Sequence, residues 1–172
     1  MTAAALREAL ARARVPLGFV FGAIAWWLAH PAPRSLAIGA AIAAAGEALR
    51  VWAAGHLYKA REVTASGPYR WLAHPLYVGS SIMGAGLAVA SASVAVAILV
   101  AAYLAMMMPA AIGTEEAFLR RRFADGYDAY RSGRVSDRRF SLAQVIANRE
   151  HRTIGGLVAA VALLALKMLT AG

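Results

Sequence analysis

The sequence predicts an all-α, polytopic membrane protein with about five transmembrane helices and a cytoplasmic helical segment between the fourth and the fifth. Hydrophobic residues make up 60% of the 172 residues, charged residues make up only 16%, and the mean hydropathy is +0.56. A soluble domain carries about 25% charged residues. Apolar stretches of about 20 residues cross a bilayer as helices, because the hydrocarbon core offers no partners to backbone polar groups.

The length of the chain allows one domain, which the pattern of polarity divides into four parts. We expect a basic amphipathic helix, four spans, a cytoplasmic segment and a fifth span at residues 1–14, 15–112, 113–152 and 153–170, respectively. The basic N-terminal helix is suited to lying on an anionic membrane surface.

Long apolar runs predict the individual spans. The first covers Val15 to Ala29 and ends in two tryptophans, which are common at membrane interfaces. The second covers Leu36 to Leu57 and follows a proline-rich turn. No Asp, Glu, Lys or Arg lies between Trp71 and Thr114, so we expect a hairpin of two spans that turns near Ser91–Ser93. The last span covers Thr153 to Leu169.

The placement of Lys and Arg predicts the orientation of these spans. Fifteen of the 18 basic residues lie before the first span, between the second and third, or between the fourth and fifth. Cytoplasmic loops are the ones enriched in Lys and Arg. We therefore expect a multi-pass protein of the cell membrane with a cytoplasmic N-terminus, an external C-terminus and an active site that faces the cytoplasm.

The same composition excludes several classes of function. The net charge of +9 follows the membrane topology, so we expect the lipid bilayer as partner and no nucleic acid. The chain has no cysteine, which excludes disulfides and thiolate chemistry. Its four histidines are too scattered to suggest a metal site.

A first polar motif, at residues 66–79, has the sequence SGPYRWLAHPLYVG. Gly67-Pro68 is a turn signal, and Pro75 suits the first turn of the third span. His74 is then expected at a helix start near the membrane surface, close to Tyr69, Arg70 and Tyr77. The alternative interpretation is a set of interfacial anchors.

A second polar motif, at residues 114–130, has the sequence TEEAFLRRRFADGYDAY. We expect a new helix here, capped by Thr114, with Glu115 and Glu116 at its positive end. Helical spacing places six residues on one face: Glu116, Leu119, Arg120, Phe123, Tyr127 and Tyr130. The alternative is a surface helix whose carboxylates only cap it.

Together the two motifs resemble the isoprenylcysteine carboxyl methyltransferase and phospholipid methyltransferase superfamily of membrane enzymes. The family pattern is Gly-Pro-Tyr-Arg, His-Pro-x-Tyr-x-Gly, two spans, Glu-Glu, Phe and Tyr-x-x-Tyr. The matching residues here are Gly67, Pro68, Tyr69, Arg70, His74, Pro75, Tyr77, Gly79, Glu115, Glu116, Phe123, Tyr127 and Tyr130. The segment GEALRVWAAGHL is similar to the family's second span, so the resemblance covers roughly residues 36–140.

The resemblance implies S-adenosylmethionine as the cofactor. Glu115 or Glu116 is suited to its amine or ribose hydroxyls, and His74, Arg70 and the positive start of the third span are suited to its carboxylate. An aromatic ring, from Tyr77 or Tyr127, is suited to the adenine or the sulfonium. The expected cofactor-binding residues are Tyr69, Arg70, His74, Tyr77, Gly79, Glu115, Glu116 and Tyr127.

The expected acceptor is a lipophilic or membrane-embedded small molecule that enters sideways from the bilayer. We expect Glu116 and Arg50 to be catalytic, and Glu47, Arg50 and Tyr130 to bind the substrate. Glu47 and Arg50 lie three residues apart inside the second span, where ionisable residues are functional candidates. A mutual ion pair that only joins helices is the equal alternative.

Three departures from the family pattern bear on the acceptor. Ala73 stands where the family usually has Arg before His-Pro, Ala111 stands where carboxylate-methylating members tend to have Arg, and the loop from His56 to Gly67 is short. These departures argue against carboxyl methylation and against a bulky prenyl-peptide acceptor. Two other functions stay open: a nicotinamide-dependent enzyme resembling steroid reductases, and a non-catalytic membrane protein that retains the fold.

Overall fold

The computed structural model describes residues 3–58, 64, 66–122 and 139–170, with the backbone alone for residues 3–15 and 118–122. All regular structure in these residues is helical, which confirms the predicted all-α class. The elements are α1 (Ala3–Leu28), α2 (Pro33–His56), a 3-10 helix (Gly67–Arg70), α3 (Pro75–Ser91), α4 (Val94–Arg122), α5 (Leu142–Ala147) and α6 (Glu150–Thr170). Predictions that concern Phe123, Tyr127 and Tyr130 lie outside the described residues.

The long helices run alternately between two ends of the molecule. At one end the His30 amide donates to the Ser91 carbonyl at 2.8 Å, which joins the α1–α2 turn to the α3–α4 turn. Also at this end, Lys167 of α6 donates to the carbonyls of Trp26 and Trp27 at the end of α1. At the opposite end the Asn148 amide donates to the Ala54 and Leu57 carbonyls, where α2 ends.

Three helices in the described part of the chain are long and apolar enough to cross a membrane: α2, α6 and the part of α4 from Val94 to Ala117. Two shorter apolar helices, Pro16–Leu28 and Pro75–Ser91, lie beside them. The chain is thus a membrane protein. That the two shorter helices also cross the bilayer, which would give five crossings, remains a prediction. The predicted hairpin turn is present, because α3 ends at Ser91, Ala92 has a φ of 49° and α4 begins at Val94.

The helices α2 and α3 pack backbone to backbone through glycines. A Cβ on Gly39 would lie 2.3 Å from the Ala90 nitrogen, and a Cβ on Gly86 would lie 2.4 Å from the Ala43 nitrogen. Small residues let membrane helices approach closely, and this packing drives their association, because no hydrophobic force acts between helices in lipid. Arg50 of α2 and the start of α3, which belong to the candidate site, lie on this tightly packed pair of helices.

We expect Gly39→Ala or Gly86→Ala to lower the free energy of unfolding by about 1–3 kcal/mol, because the added methyl group meets backbone that cannot rotate away. Gly155→Ala on α6 is the control, since a Cβ there meets nothing within 4 Å. Denaturant titration of the detergent-purified variants measures the difference. Equal stability of Gly86→Ala and Gly155→Ala would contradict the close α2–α3 packing.

The expectation that a new helix begins at Thr114 is wrong. The α4 helix continues without interruption from Val94 to Arg122, and the Thr114 hydroxyl donates to the Ala110 carbonyl at 2.7 Å. A hydroxyl bonded four residues back is typical of a threonine inside a helix. Gly113 does not stop the helix, since glycine in a helix interior costs only about 1 kcal/mol. Glu115 and Glu116 therefore lie near the C-terminal end of α4 and not at the start of a helix of their own.

The N-terminal region also differs from its predicted division. The sequence suggested a surface helix over residues 1–14 followed by a separate span. The backbone instead forms one continuous helix, Ala3–Leu28, with Pro16 inside it. A proline keeps the helical φ, so it is compatible with a helix that bends or loses one hydrogen bond.

Candidate functional site

The site begins at the start of α3, where the structure places His74 and Pro75 as the sequence predicted. His74 is the residue before the helix and Pro75 is its first residue. Proline suits this position because its fixed φ is helical and its missing N–H would have no helical partner. No side chain caps α3, and the His74 ring lies 5.8 Å from the Tyr77 ring between centroids. The α3 start therefore combines two aromatic rings with an uncapped, positive helix end.

The turn that leads into this motif packs against a buried histidine. Gly67 has a φ of 58°, and a Cβ there would lie 2.4 Å from the His56 ring. The His56 Nδ1 atom lies 3.2 Å from the Ser66 hydroxyl, and the edge of the ring faces Phe140. Only glycine combines this backbone conformation with this close approach. Sequence reasoning found the glycine turn and missed His56, which looked like an ordinary helix-end residue.

The second motif reaches the first through Glu116. The Glu116 Oε1 atom lies 3.3 Å from the His74 Nε2 atom, although the residues are 42 positions apart. The side chains of His74 and Glu116 are 19% and 34% exposed. A histidine–carboxylate pair that still reaches solvent can contact a bound molecule. The structure thus brings together the two predicted cofactor-binding segments.

Arg50 lies at the centre of a second polar cluster, enclosed by α2, α3 and α6. Its Nη2 atom donates to both carboxylate oxygens of Glu150, at 3.0 and 2.9 Å. Its Nη1 atom donates to the Leu76 carbonyl at 3.3 Å and to the Ser80 hydroxyl. The side chains of Arg50 and Glu150 are 15% and 5% exposed. The guanidinium therefore joins three helices, and its contact with the Leu76 carbonyl lies in the first turn of α3.

Glu150 is the residue in this cluster that sequence reasoning missed. The sequence predicts that Glu150 lies in the polar segment before the last span, whereas in the structure it lies in the first turn of α6. An acidic residue in a first helical turn is favoured by the helix dipole, and this signal would have pointed to it. That Glu150 pairs with Arg50 could not be predicted from the sequence, because the contact depends on how α6 packs against α2.

Glu47, the other acid near Arg50, is almost completely buried. Its Oε2 atom lies 3.5 Å from Arg50 Nε, and its side chain is 8% exposed. Neither oxygen of this carboxylate has a hydrogen-bond partner. Glu47 and Arg50 thus form the mutual ion pair that the sequence offered as one alternative. The hydrogen bonds of Arg50 go to other groups.

The remaining predicted residues differ in their surroundings. Tyr69 and Arg70 lie in the 3-10 helix and each has an interaction partner. Glu115 is half-buried beside Glu116. Gly79 packs against Arg50, because a Cβ there would lie 2.6 Å from Arg50 Cγ. A packing position between α2 and α3 fully accounts for this glycine in the structure.

The cluster at the α3 start offers the groups that S-adenosylmethionine needs. A positive, uncapped helix end is suited to a carboxylate, and the carboxylates of Glu115 and Glu116 are suited to an ammonium or ribose hydroxyls. The Tyr77 ring is suited to adenine or a sulfonium. Among the described residues no group of three or more His, Asp or Glu side chains could hold a metal ion.

Comparison with known proteins gives an independent assignment. A family model described as phospholipid methyltransferase matches residues 36–126, which is just over half of the chain. The matched region contains α2 from residue 36 onward, the whole first motif, the second motif as far as residue 126, and the Glu47–Arg50 pair. No solved structure matches the chain.

Two curated relatives are named for metal resistance. The nickel-cobalt-cadmium resistance protein NccN of Alcaligenes xylosoxydans xylosoxydans is 35% identical over 83 residues, which cover 47% of this chain and 38% of the relative. The cobalt-zinc-cadmium resistance protein CzcN of Cupriavidus metallidurans is 36% identical over 90 residues, which cover 51% of this chain and 40% of the relative. The similarity thus spans about two fifths of the length of either relative.

Proposed function

Because the chain belongs to the phospholipid methyltransferase family, we propose that it is an S-adenosylmethionine-dependent methyltransferase of the cell membrane that acts on a lipophilic acceptor. The observation that carries this proposal is the 3.3 Å contact between His74 and Glu116. It joins the two motif segments at one partly exposed place, beside an uncapped helix start. A membrane protein whose helices only anchored it would not need this pair.

Each residue of this proposed site has its own role. Glu116 and Glu115 hold the ammonium or ribose hydroxyls of the cofactor, while Arg70 and the α3 start receive its carboxylate. His74 orients the Glu116 carboxylate, and Tyr77 flanks the His74 ring. When bound, S-adenosylmethionine supplies a methyl group on a positively charged sulfur, which an acceptor atom attacks in line. Alignment of the acceptor with that sulfur accounts for most of the catalysis in such a displacement.

The proposal predicts which cofactor stabilises the protein. S-adenosylmethionine or its demethylated product should raise the free energy of unfolding of the detergent-purified protein, by about 2.7 kcal/mol at 100 times Kd. NADPH should not, because the carboxylates of Glu115 and Glu116 beside His74 would repel the phosphates of a nicotinamide cofactor. A thermal melt with each ligand checks this. A melting shift with NADPH alone would favour the reductase-like alternative.

Orientation is the second part of the proposal. We place the end with His74, Glu116 and Glu150 in the cytoplasm, where S-adenosylmethionine is available and where 15 of the 18 basic residues would lie. A reporter that is active only outside the cytoplasm should be active when fused after Gly172. The matched fusion before Met1 should be inactive. Activity of the N-terminal fusion instead would invert the proposed topology.

A further inference from the structure

We propose that the buried carboxylate of Glu47 binds the hydrogen-bond-donating head group, N–H or O–H, of the lipophilic acceptor, and that anionic head groups are excluded. This inference rests on the proposed function, since it specifies the chemical class of the acceptor. The hydrogen bonds and charges of the groups around Glu47 support the proposal.

The first observation is that Glu47 has no hydrogen-bond partner. The residue is 6% exposed, and neither of its carboxylate oxygens accepts a hydrogen bond. Almost all buried polar groups in folded proteins are hydrogen-bonded. The contact of Glu47 Oε2 with Arg50 Nε at 3.5 Å is an ion pair only, and Arg50 Nε is also without a hydrogen bond. A carboxylate left in this state at a site in the α2 span is therefore suited to receive a donor from a bound molecule.

The second observation is that the neighbouring cation is already engaged. Arg50 directs Nη2 at both oxygens of Glu150 and Nη1 at the Leu76 carbonyl and the Ser80 hydroxyl. Only Nε remains, and it lies 3.5 Å from Glu47 itself. The guanidinium has no free pair of N–H groups with which to hold a carboxylate or a phosphate in the usual bidentate way.

The third observation is the charge of the cluster. Glu47 and Glu150 are two carboxylates beside one guanidinium, and Glu150 takes the close contact with it. An anionic head group would add a third negative charge in a region of low dielectric, where repulsion is strong. An ammonium would balance the charge, and a hydroxyl would donate without changing it.

The position of Glu47 also suits an acceptor. It lies three residues before Arg50 in α2, about 4.5 Å deeper in the span. Arg50 in turn contacts the carbonyl of Leu76, two residues after His74. A head group held by Glu47 would therefore lie deeper in the span than Arg50, which itself contacts the first turn of α3.

The test uses the full-length protein in nanodiscs and four straight-chain probes: decylamine, decanol, decanoate and decyl phosphate. Equilibrium dialysis should show that decylamine, decanol or both bind at least tenfold more tightly than either anion. Binding of decylamine alone identifies the ammonium as the donor, and binding of decanol identifies the hydroxyl. Tighter binding of decanoate or decyl phosphate would overturn the inference.

Variants assign the binding to Glu47. Glu47→Gln should weaken decylamine binding about tenfold or more, because the charge is lost, and decanol binding less, because the amide carbonyl still accepts. Glu47→Asp retains the charge and should bind decylamine more tightly than Glu47→Gln does, which keeps the test decisive if one variant folds poorly. Arg139→Gln, at an exposed site, should bind like the parent. A Glu47→Gln protein that is folded and binds decylamine unchanged refutes the assignment.

S-adenosylhomocysteine binding separates this inference from the proposed function. The parent and Glu47→Gln should bind it equally, since Glu47 lies outside the His74–Glu116 pair. If the parent binds S-adenosylhomocysteine but no donor probe, the proposed function stands and this inference fails. If the parent does not bind S-adenosylhomocysteine, the proposed function itself fails.

Discussion

Arg50→Met should destabilise the protein by about 3–5 kcal/mol, the range for removal of one partner from a buried ion pair. The variant leaves the Glu150 carboxylate, 5% exposed, without its two hydrogen bonds at 3.0 and 2.9 Å. It also removes the donors to the Leu76 carbonyl and to Ser80. Methionine retains most of the length and apolar bulk of the side chain, so the loss is mainly polar. Denaturant titration in detergent measures the change in the free energy of unfolding.

Two controls assign this loss to the pair. Arg152→Met changes an exposed arginine in the first turns of the same α6 helix, and its effect should stay within about 0.5 kcal/mol. The double variant Arg50→Met with Glu150→Gln should be more stable than Arg50→Met alone, because no buried charge is left unpaired. Equal stability of Arg50→Met and Arg152→Met would show that the Arg50 cluster does not join the three helices.

His74→Ala and Glu116→Gln should each weaken the binding of S-adenosylmethionine by about 1.5–3 kcal/mol, the range for a hydrogen bond to a charged group. That is a loss of about tenfold or more in affinity. Because the two side chains contact each other at 3.3 Å, the double variant should lose less than the sum of the single losses. Isothermal titration of the four proteins measures this coupling.

Stability and a distant variant provide the controls for this prediction. The His74 and Glu116 side chains are partly exposed, so the free energy of unfolding should change little in either variant. Arg139→Gln, at an exposed position before α5, should leave the affinity unchanged. If the His74 and Glu116 variants bind the cofactor like the parent, the two motifs do not form one cofactor site.

Much of the helical layout could be predicted from the sequence, because membrane crossing imposes a length and a polarity that are visible locally. The apolar runs predicted α2 and α6 closely, and the small polar residues at 91–93 predicted the α3–α4 turn. The start of α3 was predicted from a single local signal, Pro75. Thr114 was assigned wrongly, because a threonine that caps a helix and one that bonds four residues back have the same local sequence.

The sequence by itself determined the class of the protein, the motif segments at residues 66–79 and 114–130, and their resemblance to membrane methyltransferases. These depend on composition, spacing and order along the chain. Only the tertiary structure decided that His74 meets Glu116, that Arg50 pairs with Glu150 one hundred residues away, and that Glu47 is left without a hydrogen-bond partner. The reason is that partner choice depends on how the helices pack. The close approach of α2 and α3 at Gly39 and Gly86 sets that packing, and the sequence does not specify which helices approach each other.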